Sequence, residues 1–234
     1  GTVVKRASLH NSDQMEVLDI RVGDYVYVEK GGEIIPKITS VELSRRPSSS
    51  VKPQFPTVCP DCGTPLVKAG DEAKWFCPNI DGCPTQIKGR ILHFMSRKAM
   101  DILAGDATVD QFYDAGLVRC AADLYGISKY QLTALEGWQE KSAQRFLDSL
   151  AGSKSVPFDR VLFALGIRYV GETTAKAIAR HFGNIRAVCD ASREQLLEVG
   201  DVGDVIAGSV FDFVHNEAHL SEIERLESYG LQFS

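Results

Sequence analysis

The chain has no long apolar run and no apolar leader. No stretch of its 234 residues is long and apolar enough to span a membrane. The first residues, Gly1-Thr2-Val3-Val4-Lys5-Arg6, contain no apolar core of a signal peptide. We therefore expect a cytoplasmic protein that has no membrane partner.

Positive charge is not in excess either. The formal net charge is −5; residues 1–93 hold 12 Lys and Arg against 11 Asp and Glu, and residues 94–234 hold 14 against 20. A general basic coat for nucleic acid is thus excluded. Any contact with phosphate must use backbone amides and a few placed cations.

Cysteines are few, six in all. Four of them follow the spacing C-x2-C-x14-C-x5-C: Cys59, Cys62, Cys77 and Cys83. This clustering favours a metal site in a reducing compartment over a disulfide framework. Four thiolates suit tetrahedral Zn²⁺, and a closed shell leaves no place for a substrate water, so the site is structural. Unliganded buried cysteines and an iron–sulfur cluster are the alternatives, and the remaining Cys120 and Cys189 should pack as small hydrophobes.

A nine-residue pattern recurs three times at intervals of 32, over residues 135–143, 167–175 and 199–207. Each copy reads apolar, two variable residues, apolar, a turn residue, an acid, two variable residues and Ala. The turn residue is Gln139, Gly171 or Gly203. With helical spacing before and after it, the pattern predicts a helix, a tight hairpin and a second helix. Residues 102–107 resemble a fourth, shortened copy, which either keeps or loses the hairpin shape.

Each predicted hairpin aims backbone N–H groups and the positive end of a helix dipole outward, which suits a phosphate. We expect the turn glycines to allow close approach and, where the turn requires it, a positive φ. The DNA-binding candidates from the hairpins are Gly137, Lys141, Arg168, Gly171 and Gly203. The acids that follow the turn residues, Glu140, Glu172 and Asp204, compete with phosphate, and a purely architectural helical repeat is the alternative.

The rest of the chain divides by composition. Residues 1 to about 45 read as short strands of a small β-barrel, with strands over 22–28 and 33–41 separated by a Gly31-Gly32 turn. Residues 47–53 have linker composition. Residues 86–99 predict a helix with Ile87, Ile91, Phe94 and Met95 on one face.

Several strings resemble the bacterial NAD⁺-dependent DNA ligase family. They are Arg6-Ala7-Ser8-Leu9-His10-Asn11, Gly32-Glu33-Ile34-Ile35-Pro36, the string from Phe55 to Gly63, the string from His93 to Ile102, and the string from Ala164 to Gly171. The resemblance covers essentially the whole chain. It implies a multi-domain α+β protein: an incomplete OB barrel (1–54), a four-Cys zinc finger (55–86) and an all-α domain of about four helix-hairpin-helix repeats (87–234).

The resemblance also implies a DNA contact from the barrel. In that family the OB-fold binds duplex from the minor-groove side, so here Lys30 would contact phosphate, and Ile34 and Ile35 would press on the sugars and the groove. The alternative places both isoleucines in the barrel core, although neighbours in a strand cannot both point inward.

The function implied is that of the DNA-binding part of a ligase that seals 5′-phosphate/3′-hydroxyl nicks in replication and repair. The partner would be nicked duplex DNA, and the protein a monomer. None of the twelve lysines is followed by x-Asp-Gly, the motif of the adenylated lysine. We therefore expect no catalytic residue and no bound NAD⁺ or Mg²⁺ in this stretch, which would be inactive alone and resembles a piece of the full enzyme. A stand-alone DNA-binding module and an architectural adaptor are the alternatives.

Overall fold

The structure, a computed structural model, describes residues 3–30, 35–68 and 70–234. The chain divides into two compact units, Gly1–Cys83 (unit 1) and Pro84–Ser234 (unit 2). Within the described ranges, no helix has both the length and the apolar character needed to cross a membrane.

Unit 1 combines one short helix with two antiparallel pairs of strands, β1 with β2 and β3 with β4. Its elements are α1 (Ser12–Leu18), β1 (Val26–Lys30), β2 (Pro36–Val41), a 3₁₀ turn (Leu43–Arg45), β3 (Val67–Lys68) and β4 (Trp75–Phe76). Ser8 adds a parallel bridge to β2 at Lys37. The strands in the described part of unit 1 form no closed barrel.

The strand predicted over 22–28 begins later than the sequence pattern suggested, at Val26. A turn occupies the first positions instead. Gly23 has a φ of +95°, and the Asp24 carboxylate accepts the Arg21 N–H at 2.7 Å. Because this side chain bonds the backbone locally, the residues before Val26 do not join the strand ladder.

Helix α1 also corrects the prediction, which read the first 45 residues as strands. The Asn11 side chain accepts the Gln14 N–H at 2.9 Å and caps the helix. Asp19, with a φ of +44°, ends it. None of its residues is buried, so its sequence contains no apolar stripe from which a helix could be predicted.

An ion-pair network joins the turn before β1 to the end of the 3₁₀ turn. Arg46 bonds both Asp24 carboxylate oxygens at 2.9 Å and one Asp19 carboxylate oxygen at 3.0 Å. The hydrogen bonds from Arg46 lower the pKa of both Asp19 and Asp24. The fork geometry of a guanidinium makes such bidentate pairing specific to Arg.

All the secondary-structure elements of unit 2 that the structure describes are helices. Its elements are α2 (Pro84–Met95), α3 (Asp106–Asp114), a 3₁₀ helix (Ala121–Gly126), α4 (Lys129–Thr133), α5 (Glu140–Ser153), α6 (Phe158–Ala164), α7 (Glu172–Phe182), α8 (Ile185–Asp190), α9 (Arg193–Leu197), α10 (Asp204–Val214) and α11 (Glu217–Ser228). One apolar core runs through it. The predicted stripe of α2, Ile87, Ile91, Phe94 and Met95, is buried in that core.

Three helix pairs correspond to the 32-residue repeat. We name them hairpin A (α4–α5), hairpin B (α6–α7) and hairpin C (α9–α10). The repeated alanine of each copy, Ala143, Ala175 or Ala207, is buried. Capping boxes start α4 and α9, where Ser128 and Ser192 exchange hydrogen bonds with Gln131 and Gln195.

A buried ion pair links α2 to α11. Arg90 Nη2 lies 3.6 Å from the Glu222 carboxylate, and the other Glu222 oxygen accepts the Ala121 N–H at 3.1 Å. Burial nevertheless raises the pKa of Glu222. The pair positions α2, the first helix of unit 2, against the last.

Candidate zinc centre and nucleic-acid interface

The four clustered cysteines of the sequence meet in space. Their sulfur atoms all lie within 4.8 Å of one another. The Cys59 and Cys83 sulfurs are 3.9 Å apart and those of Cys62 and Cys77 3.6 Å apart. Four sulfurs at ~2.3 Å from a tetrahedral zinc would be separated by about 3.8 Å. Both of these separations are close to this value, and all four sulfurs are close enough together to bind one Zn²⁺.

Local turns bring the thiols together. Gly63, with a φ of +73°, donates its N–H to the Cys59 carbonyl at 2.8 Å, and the Cys59 N–H bonds the Thr64 carbonyl at 2.8 Å. The positive φ favours glycine at this position. The Cys83 N–H bonds the Asn79 carbonyl at 3.0 Å and closes the second turn.

The environment differs between the thiols. Hydrogen bonding by Thr64, whose hydroxyl oxygen lies 3.1 Å from the Cys62 sulfur, lowers the pKa of Cys62 to about 6. Burial raises the pKa of Cys77. Four thiolates complete a zinc shell and leave no open position, so the cluster suits a structural rather than a catalytic metal.

The other two cysteines lie elsewhere, as predicted. Cys120 and Cys189 pack, half-buried, against the core of unit 2. Burial raises the pKa of both thiols, that of Cys120 to about 11. A raised thiol pKa disfavours the nucleophilic thiolate, so neither cysteine is a candidate nucleophile.

The three hairpin turns have the same backbone shape. In each, an N–H donates to the carbonyl three residues earlier: Trp138 to Leu135, Val170 to Ile167, and Val202 to Val199, all at 3.2 or 3.1 Å. The residue before each donor has a positive φ: Gly137 (+81°), Tyr169 (+68°) and Asp201 (+65°). The sequence reasoning missed Tyr169 and Asp201. Their alignment with Gly137, at the 32-residue interval, was the available signal.

Gly171 and Gly203 lie at the starts of α7 and α10, where they are the N-cap residues. The expectation of a positive φ there is wrong, because their φ values are −83° and −91°. The positive φ lies two residues earlier, at Tyr169 and Asp201 in the bend. A Cβ added at either glycine would meet nothing within 4 Å. The space above these amides is therefore open, and neither glycine is required by internal packing.

At hairpin A, unlike hairpins B and C, a side chain bonds the backbone N–H at the start of the second helix. The N–H of Gln139, the residue that replaces the turn glycine, donates to the Ser142 hydroxyl at 2.9 Å. Gly171 and Gly203 have no side-chain cap. A ligand at hairpin A would have to displace an internal hydrogen bond, whereas hairpins B and C offer N–H groups that have no intrahelical partner.

The shortened copy at 102–107 does not repeat this turn. The Ala104 N–H donates to the Ile102 carbonyl, two residues earlier rather than three. The positive φ falls at Asp101 (+53°), four residues before the N-cap Gly105. The bend therefore lies farther from the helix start than in hairpins A, B and C, and the shortened copy loses the hairpin turn.

Side chains hold two of the loops to neighbouring helices. Ser209 of α10 donates to the Arg168 carbonyl at 2.7 Å. Gln111 of α3 donates to the Glu136 carbonyl at 2.9 Å. Glu136 and Arg168 occupy the same repeat position, 32 residues apart, so hairpins A and B are anchored at equivalent carbonyls.

The predicted cations and acids lie at the hairpin surface. Lys141 and Arg168 are exposed, and the Arg168 guanidinium lies 5.2 Å from the centre of the Tyr169 ring. Glu172 pairs with Lys98 at 2.9 Å, and Glu140 pairs with Lys129. The three acids head their helices, where they complement the helix dipole.

The candidates of unit 1 are described only in part. Lys30 is the exposed last residue of β1. Ile35 is 69% exposed and so does not belong to the buried core. Ile34 and the Gly31-Gly32 turn lie outside the described residues.

Three family models match separate parts of the chain. Residues 1–50 match the NAD-dependent DNA ligase OB-fold domain. Residues 58–84 match the NAD-dependent DNA ligase C4 zinc finger domain, and residues 160–223 match a helix-hairpin-helix motif. The zinc-finger match and the four-cysteine cluster together support a structural zinc.

Curated relatives match the chain from end to end. The DNA ligase of Flavobacterium psychrophilum is 52% identical over 100% of this chain and 35% of its own length. That of Christiangramia forsetii is 51% identical over 99% of this chain and 35% of its own length. That of Porphyromonas gingivalis is 44% identical over 99% and 34%. The chain thus spans about a third of the length of the relatives that it matches.

These matches cover the strand region, the cysteine cluster and the helical repeats alike, which does not favour a stand-alone module built from the repeats only. The chain belongs to the NAD-dependent DNA ligase family and carries that family's OB-fold, C4 zinc-finger and helix-hairpin-helix region.

Proposed function

We propose that this chain is the DNA-binding part of an NAD-dependent DNA ligase that seals 5′-phosphate/3′-hydroxyl nicks in duplex DNA. The observation that carries the proposal is identity of about half the residues over the whole chain to proteins named DNA ligase, with two domain matches specific to NAD-dependent ligases. For the whole enzyme we propose NAD⁺ as the adenylate donor and Mg²⁺ as the catalytic metal. To this chain we assign no catalytic residue.

Within the chain we propose three working parts: the OB-fold over 1–54, the zinc finger over 55–86 and the helix-hairpin-helix domain over 87–234. The zinc ligands are Cys59, Cys62, Cys77 and Cys83. Their bound zinc would hold the segment around β3 and β4 in one conformation, because a closed thiolate shell supplies folding energy rather than chemistry.

The hairpins bind the phosphate backbone of duplex DNA in this proposal. Hairpins B and C contribute most of the affinity for DNA, because their N-cap glycines, Gly171 and Gly203, leave open space in front of the first helical amides. Gly137 shapes the turn of hairpin A, and Lys141 and Arg168 add cations beside the amides. Because phosphate carries no base information, binding is independent of sequence.

The OB-fold would contact the duplex from the minor-groove side. Lys30 would pair with a phosphate, while Ile34 and Ile35 would press on the sugars. The high exposure of Ile35 supports this role, because a large apolar side chain at the surface is available to a partner. We propose that the protein acts as a monomer on a nicked duplex.

A chimera tests the assignment to a ligase. This chain would replace the matched third of the Flavobacterium psychrophilum DNA ligase, and sealing of a labelled nicked duplex would be measured with NAD⁺. We expect sealing well above that of the same enzyme with the segment deleted. A chimera that folds and becomes adenylated yet seals no better than the deletion would overturn the proposal.

A further inference from the structure

An acid heads the second helix of every hairpin, at the place where the proposed phosphate would bind. Glu140, Glu172 and Asp204 are the first residues of α5, α7 and α10. A carboxylate there stabilises the helix dipole but repels an incoming phosphate. Phosphate binding at a hairpin is therefore stronger where this charge is offset.

At hairpin B the offset comes from another part of unit 2. Lys98 lies in the loop after α2, 74 residues before Glu172, and its ammonium is 2.9 Å from the Glu172 carboxylate. Lys176, one helical turn beyond Glu172, makes no ion pair with it in the described structure. The acid is thus neutralised by the distant lysine rather than by the local one.

The loop that carries Lys98 is fixed by hairpin B itself. Arg160 of α6 donates to the Arg97 carbonyl at 2.9 Å and to the Lys98 carbonyl at 3.3 Å. Lys98, Arg160, Glu172 and Lys176 line one open cleft of about 730 Å³ beside the start of α7. A guanidinium that bonds two successive carbonyls holds the loop backbone, so the backbone of Lys98 is kept beside Glu172.

We propose that Lys98 is a positioning residue of hairpin B, which neutralises Glu172 so that a DNA backbone phosphate can approach the Gly171 amides. Lys98 acts through Glu172 rather than by binding the phosphate. The inference rests on the proposed function, because it presumes that hairpin B binds DNA. It assigns hairpin C the stronger repulsion, since the described structure gives Asp204 no ion pair.

A double-mutant cycle tests the proposal. Lys98→Met, Glu172→Gln and the double variant would be compared for binding to nicked duplex by fluorescence anisotropy at one stated salt concentration. We expect Lys98→Met alone to weaken binding about three- to tenfold at low salt, and by less as added salt screens this exposed pair. In the Glu172→Gln background the same change should have little effect. Lys98→Arg, which keeps the charge, should bind as the parent does.

A matched control separates this effect from general charge. Arg186 and Glu227 form an exposed pair at 3.1 Å on α8 and α11, and Arg186→Met should leave binding unchanged. An equal loss from Lys98→Met in both backgrounds, or an equal loss from Arg186→Met, would overturn the inference. Gly171→Val separates the role of Lys98 from DNA binding by hairpin B. If Gly171→Val weakens binding but the cycle shows no coupling, the role proposed for Lys98 is wrong and hairpin B still binds DNA. If Gly171→Val has no effect on binding, the proposed function of hairpin B is wrong.

Discussion

Removal of zinc should unfold the finger and leave unit 2 folded. The finger's described apolar cluster consists of three buried cysteines with Cys62 and Leu66 packed against them. A fully buried leucine contributes about 1.5–3 kcal/mol, and Leu66 is only partly buried, whereas structural zinc contributes an apparent 10–16 kcal/mol, roughly. The core of unit 2 contains none of the four thiols. The metal therefore dominates the stability of the finger and adds nothing to the packing of unit 2.

The two tryptophans report on the two units separately. The Trp75 indole N–H in β4 donates to Ser12 at 3.1 Å, and the Trp138 indole N–H beside hairpin A donates to Gln111 at 2.8 Å. In a ¹⁵N–¹H spectrum, a chelator should shift the Trp75 indole peak to its unfolded position and leave the Trp138 peak in place. Elemental analysis would establish that zinc was lost.

Cysteine variants give a matched control. Cys77→Ser should reproduce the effect of the chelator, and Cys189→Ser, in unit 2, should not change the Trp75 peak. If the Trp75 peak keeps its folded position after zinc has been removed, the reasoning that the metal holds the finger together is refuted.

Two further predictions concern unit 2. Phe146→Ala should destabilise unit 2 by about 3–5 kcal/mol in urea unfolding, because Phe146 is buried against Phe112 and Trp138. The control Tyr130→Ala, at an exposed site, should change the free energy of unfolding by less than about 0.5 kcal/mol. Similar losses of stability for the two variants would contradict the assignment of Phe146 to the core. Since burial raises the pKa of Glu222 above its ordinary value of 4.5, the folded state binds the proton more tightly, and this group's contribution to stability falls as pH rises from 4.5 through the folded pKa. Glu222→Gln should remove that part of the pH dependence of unfolding, and an unchanged slope would contradict it.

The 32-residue period allowed much of unit 2 to be predicted. It placed Gly171 and Gly203 at helix starts because apolar spacing and turn residues recur together. The positive φ at Tyr169 and Asp201 was not predicted, because non-glycine residues rarely adopt it and the hydrogen bond that imposes it is not visible in composition. The pairing of Lys98 with Glu172 joins residues far apart in sequence, which no local pattern encodes.

Unit 1 was predicted less well. The zinc cysteines could be recognised from spacing alone, since two short loops fix where the sulfurs lie. Helix α1 could not be recognised by periodicity, because it has seven residues and none is buried. The one sequence feature that indicates this helix is its N-cap residue, Asn11, whose side chain bonds the backbone at the helix start. A single capping residue is weak evidence for a helix within a region whose other residues resemble strands.

The claim that hairpin amides bind DNA phosphate is tested most directly by placing bulk at the two N-cap glycines. Neither Gly171 nor Gly203 has a positive φ, and a Cβ at either meets nothing within 4 Å, so Gly171→Val and Gly203→Val should fold normally. Gly152→Val is the control, since Gly152 is exposed on α5, also with open space around it.

The measurement is the affinity for nicked duplexes of two unrelated sequences at one salt concentration, with helical content checked by circular dichroism. Loss of charge-assisted bonds of about 1.5–3 kcal/mol at each hairpin predicts that each variant binds at least tenfold more weakly, roughly, and equally so for both sequences. The Gly152→Val control should bind as the parent does. Folded Gly171→Val and Gly203→Val proteins that bind both duplexes as tightly as the parent would contradict the account and make the hairpins architectural.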